Sequence, residues 1–87
     1  MTTLWIVQVS AEAGGRALNV LVSDESRERA EMTAVAAVLS DGWSKVNALR
    51  SGIVSEERLA EREDVFREAA VSARDLGWCI VRYRPTI

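Results

Sequence analysis

Apolar positions alternate at both ends of the chain and recur at helical spacing in two stretches between them. Leu4-Trp5-Ile6-Val7-Gln8-Val9 predicts a strand, with Trp5, Val7 and Val9 on one face and Leu4, Ile6 and Gln8 on the other. Apolar residues on both faces mark a central strand, or one whose second face is partly covered. Glu12-Ala13-Gly14-Gly15-Arg16 supplies glycines for a reversing loop that needs positive φ. Ala17 to Ser23 alternates again, setting Leu18, Val20 and Val22 against Asn19, Leu21 and Ser23, so the two strands read as a hairpin.

Ser23 or Asp24 is suited to cap a following helix, with Glu25 in its first turn favouring the helix dipole. That helix runs to about Ser40, where Asp41-Gly42 gives a stop signal. Its expected buried stripe is Ala30, Ala34, Val35, Val38 and Leu39. Trp43 to Arg50 predicts a short third strand with Lys45 and Asn47 on one face. Ser51-Gly52 then marks a turn, and Ile53-Val54 returns to the core.

Ser55-Glu56-Glu57 opens a second helix with a hydroxyl cap and two carboxylates. Leu59, Phe66, Ala69, Ala70, Ala73 and Leu76 recur at helical spacing, and Gly77 closes the element. Glu25 with Arg29, and Glu63 with Arg67, stand four apart in the favourable order for ion pairing. Trp78 to Arg84 forms the last strand and Pro85 ends it. The order β-β-α-β-α-β over residues 1–87 predicts one α+β domain. It is read as a two-layer sandwich, two helices packed on one face of a mostly antiparallel sheet of about four strands. Such an arrangement is shared by unrelated small proteins and does not by itself imply a function.

Composition narrows the function classes. The chain has no histidine and one cysteine, Cys79, which removes the commonest proton-transfer residue and the usual zinc ligands. It also removes an internal disulfide or dithiol pair. With apolar neighbours and no histidine to activate it, Cys79 reads as an inert thiol. Thirteen acidic and eleven basic residues leave a net charge of −2, against the basic excess of a generic nucleic-acid binder. Ten of the eleven basic residues are arginine, Lys45 being the exception, a bias expected of a GC-rich bacterial or phage coding region. No basic residue precedes the first apolar stretch, and the longest apolar run, Ala34 to Leu39, is too short to span a bilayer. The expectation is a cytoplasmic protein with no membrane contact, cofactor or metal.

Three constellations are candidates for chemistry. Glu56 to Glu68 holds six carboxylates and three arginines, either a solvated helix surface or an acidic docking face. Adjacent helical carboxylates such as Glu63 and Asp64 point about 100° apart and do not converge as an acid/base pair. Arg82 and Arg84 share a strand face with Ile80, opposite Cys79, Val81 and Tyr83. If that face is free of helices they form a basic strip, joined by Lys45 and Asn47, suited to phosphates or carboxylates. Gly14-Gly15 lacks the pattern of a phosphate-binding loop and reads as a hairpin turn. Trp5 is expected in the core. Trp43 and Trp78 each follow a glycine at a helix-to-strand junction, where packing is favoured over partner binding.

The reading that results is a non-catalytic binding module occupying a surface of a larger protein or ribonucleoprotein complex. In its sharpest form it is a small acidic bacterial or phage-encoded inhibitor, for example of an RNA-guided defence nuclease. Glu57, Glu61, Asp64, Arg82 and Arg84 are its expected contact residues. The alternatives are nucleic-acid binding through the basic strip and a homo-oligomeric structural subunit, with self-pairing of an exposed edge strand left open.

Overall fold

Two nine-residue strands, β1 (Thr3–Ala11) and β2 (Arg16–Asp24), pair as an antiparallel hairpin in which Trp5 opposes Val22 and Ile6 opposes Leu21. The computed structural model describes residues 2–12, 15–55, 57 and 64–81. At the described part of the hairpin loop, Glu12 rather than Gly15 takes the left-handed backbone, at φ 56°. Its position is fixed on both sides. Its N–H donates to the Ser44 carbonyl at 2.8 Å, and its carbonyl accepts from the Gly15 N–H at 3.2 Å.

The first helix, α1 (Arg27–Ser40), starts slightly later than the sequence suggests. Asp24 ends β2 by accepting from the N–H groups of Glu25 and Ser26, at 2.7 and 3.3 Å. Ser26 is the cap, its Oγ accepting from the Arg29 N–H. Arg29 pairs with Asp24 at 3.2 Å and not with Glu25, which lies ahead of the helix. The stop at Asp41-Gly42 stands, with Gly42 at φ 98°.

β3 (Asn47–Ile53) lies beside β1, on the edge opposite β4 (Trp78–Ile80), in a sheet of order β3-β1-β2-β4. Every neighbouring pair is antiparallel. β2 and β3 therefore run parallel on either side of β1, and α1 is the crossover such a pair requires. The expected third strand is corrected at both ends. Lys45 adopts φ 53° and breaks the extended chain before Asn47, so the two residues do not share a strand face. Ser51, Gly52 and Ile53 continue the ladder with β1 where a turn was expected. A bulge between Gln8 and Val9 absorbs one extra residue of β3.

The four-stranded antiparallel sheet with two helices among the described residues is the expected α+β fold; the helices lie on opposite faces of that sheet, where packing on one face was expected. Trp5, Val7 and Val9, with Val20, Val22 and Ile80, meet Ala30, Ala34 and Val38 of α1. Leu4, Leu21 and Val81 meet Ala69, Ala70 and Ala73 of the second helix, α2 (Asp64–Leu76). Among the described residues α1 and α2 do not touch. The cause is the period of two along β1. Leu4 and Ile6 point away from Trp5 and Val7, and one helical layer cannot cover both sets. Burying aliphatic side chains of the size of Val7, Leu21 and Val22 gains roughly 1.5–3 kcal/mol each, and both faces supply them. The alanines at the helix contacts let each helix approach the sheet closely.

Candidate interaction surface

α1 carries more apolar residues than one buried stripe can hold. Ala30, Ala34, Ala37 and Val38 face the sheet and are buried. Met32, Val35, Ala36 and Leu39, spaced i, i+3, i+4 and i+7, form a second apolar stripe turned outward. Val35 is half-buried and Leu39 exposed, which corrects their placement in the core stripe. No charged residue occurs from Met32 to Leu39.

This stripe runs beside the edge of the sheet. A hollow of about 440 Å³ lies between α1 and β3, bordered by Met32, Val35, Leu39 and Ala48, with Glu28 and Glu31 at one end. Four large apolar side chains on this flank are more than half exposed: Met32 at 67%, Ile53 at 61%, Leu49 at 57% and Leu39 at 51%. Met32, Val35, Ala36, Leu39 and Ala48 line one hollow together, and an exposed apolar surface of this kind marks contact sites.

β3 adds directional chemistry. The Val54 N–H donates to the Leu4 carbonyl at 2.9 Å, so the alternation of the ladder turns Gly52 and Arg50 toward β1 and Ser51 and Ile53 outward. Among the described residues no strand pairs with that outer edge, since β3 ends the sheet. Ser51 Oγ donates to Glu31 Oε1 at 2.8 Å and holds the edge against α1. On the other face, Arg50 Nε donates to Gln8 Oε1 at 2.8 Å.

Other apolar exposure is less continuous. Val71 and Leu76 of α2 are exposed, Leu76 against expectation, but they stand among exposed Arg67, Glu68, Arg74 and Asp75. Trp78, on the α1 face beside β2, is 38% exposed. Trp43 is half-buried against the α1-side core, its Nε1 donating to Asp41 at 3.2 Å. Trp5 is core as expected. Its Nε1 donates to the Asp24 carbonyl at 3.0 Å, and the Arg27 guanidinium sits over its ring at 5.4 Å. Cys79 is a free, half-buried thiol on the α2 side.

The contact residues expected from sequence are not gathered into one site by the described structure. Glu57 has helical backbone and is exposed, and Asp64 is the first residue of α2. Glu61, Arg82 and Arg84 lie outside the described residues, as do Leu59, Glu63 and Tyr83. The basic strip presupposed a sheet face without helices. Ile80, which shares its alternation, packs on the α1 side, and both faces carry a helix.

The Asp24 carboxyl is held below the usual carboxylate range, chiefly by the Ser26 N–H; desolvation opposes this as the next largest effect, and the Glu25 N–H and the Arg29 guanidinium lower it further. Among the described residues no group of three or more metal-ligating side chains converges. No helix among them is long and apolar enough to cross a membrane. Comparison with family models, curated proteins and solved structures found no match to the chain.

Proposed function

We propose that this protein is a non-catalytic protein-binding module that occupies a surface of a larger protein or ribonucleoprotein complex. Its contact is the flank formed by α1 and β3. The observation that carries this reading is the uncharged, outward stripe Met32–Val35–Ala36–Leu39, which lines a hollow with Ala48 of the edge strand, a strand that also exposes Leu49 and Ile53. Burial of such residues on a partner is favourable, at roughly 25 cal/mol per Å² of apolar surface removed from water. In its sharpest form the module is a small acidic inhibitor that blocks a surface of its target, such as that of an RNA-guided defence nuclease; the net charge of −2 is compatible with a partner whose own surface is basic.

Capture from lysate with nuclease present, comparing wild type with Met32→Glu/Leu39→Glu and with charge reversal at Glu57, Glu61, Asp64, Arg82 and Arg84, separates the surfaces. Loss of a stoichiometric protein with the stripe variant alone, at unchanged circular dichroism, supports the flank. Loss with the charge reversals alone returns the contact to those residues. Capture that depends on nucleic acid overturns the protein-binding reading.

A further inference from the structure

We infer that the occupant of the flank is an extended strand of the partner, added antiparallel to the outer edge of β3, with a basic residue at its N-terminal end. This inference rests on the protein-binding reading and names the kind of segment bound.

The backbone sets the mode. The N–H and C=O groups of Ser51 and Ile53 point outward, and a strand edge is completed by another strand. Every pairing already in the sheet is antiparallel, which is also the more stable ladder per residue. The edge spans seven residues, about 23 Å of extended chain, and α1 with its fourteen residues covers about 21 Å above it. A segment of six or seven residues fits this length.

Side chains set the sequence. Residues opposed in a ladder share a face, so those opposite Ser51 and Ile53 turn to the α1 side, as Ser51 itself does in reaching Glu31. Val35 and Leu39 border the hollow with Ala48, toward the start of β3, and offer apolar contact there. Glu31 stands over Ser51, and Glu28 lies one turn further toward the end of β3. Glu28 and Glu31 are the charged residues lining the hollow; the nearby Arg27 guanidinium is drawn over the Trp5 ring, and among the described residues no basic group pairs with Glu28. An antiparallel segment places its N-terminal residue opposite Ile53, where a positive side chain meets Glu28 and Glu31. The charge of the hollow thus fixes the direction of the bound strand.

The probe is the capped peptide acetyl-Arg-Thr-Val-Thr-Val-Thr-amide, titrated into the 15N-labelled full chain. We expect saturable shifts and slowed exchange at the Ser51 and Ile53 amides. We expect at least tenfold weaker binding for the order-reversed peptide, for the Glu-for-Arg peptide with wild type, and for Glu28→Lys with the original peptide. Equal affinity for the Arg and Glu peptides, or no shift at Ser51 and Ile53 at millimolar peptide, overturns the inference. Protection of those amides that rises with protein concentration and without peptide assigns the edge to a second copy, which also overturns it. If the Met32→Glu/Leu39→Glu variant still loses a captured partner while the peptide fails, strand addition falls and the protein-binding reading stands.

Discussion

Ser51 of the edge strand donates its hydroxyl hydrogen to Glu31 of α1, at 2.8 Å between Oγ and Oε1. The bond is the polar tie between the two elements that frame the apolar flank, and it keeps the edge backbone at a set distance from the stripe. A partly buried hydrogen bond to a charged acceptor contributes about 1 kcal/mol or somewhat more to stability. Ser51→Ala and Glu31→Ala should each lower unfolding free energy by about that amount, and the double variant should cost clearly less than their sum. Urea denaturation of the four proteins in the cycle measures this.

Acid should weaken the β2–α1 corner through Asp24. Its carboxyl is held below its ordinary value of 3.8, so the folded state binds the proton less readily than the unfolded chain. The stabilisation is present above that ordinary value and is lost as pH falls through the lowered one. Stability of wild type should therefore fall faster than that of Asp24→Asn below pH about 4. Equal slopes of unfolding free energy against pH in the two proteins would contradict the assignment.

The alanine contacts of α1 should resist enlargement. Ala34 is fully buried against the sheet, and added methylenes there force the helix away from Val7 and Val20. Ala34→Leu should cost about 1–3 kcal/mol, whereas Ala36→Leu, on the exposed side, should be within about 0.5 kcal/mol of wild type. Thermal unfolding followed by circular dichroism distinguishes them.

Trp5 joins core packing to the helix start. It is 8% exposed, bonds the Asp24 carbonyl and lies under Arg27. Trp5→Ala should cost about 3–5 kcal/mol, a large part of the 5–15 kcal/mol that holds a small domain folded. Trp5→Phe keeps most of the apolar area and loses the hydrogen bond, at about 1 kcal/mol. Chemical denaturation monitored on the remaining tryptophans tests both.

The element order, the hairpin and both helices were legible in the residues because each has its own period and stop signal, such as Gly42 and Gly77 at positive φ. The layering was legible only in part. Leu4 and Ile6 beside Trp5 and Val7 indicate two covered faces, but the direction in which a crossover leaves the sheet is not written in a local pattern. β3 was displaced because Lys45 takes a left-handed conformation that lysine seldom adopts, and because Ser51-Gly52 has the composition of a turn yet pairs with Val7 and Ile6. The flank had a readable signal in Met32, Val35, Ala36 and Leu39, a complete second stripe. Periodicity shows that α1 is apolar on two sides, and only the sheet decides which side is buried.

The most direct test of the flank as the contact surface is in-cell photocrosslinking with benzoylphenylalanine placed at Leu39, on the stripe, or at Val71, on the outer side of α2. Contact through the flank predicts a discrete protein adduct from position 39 and none from position 71. An adduct from position 71 with none from position 39 would contradict it and move the interface to α2.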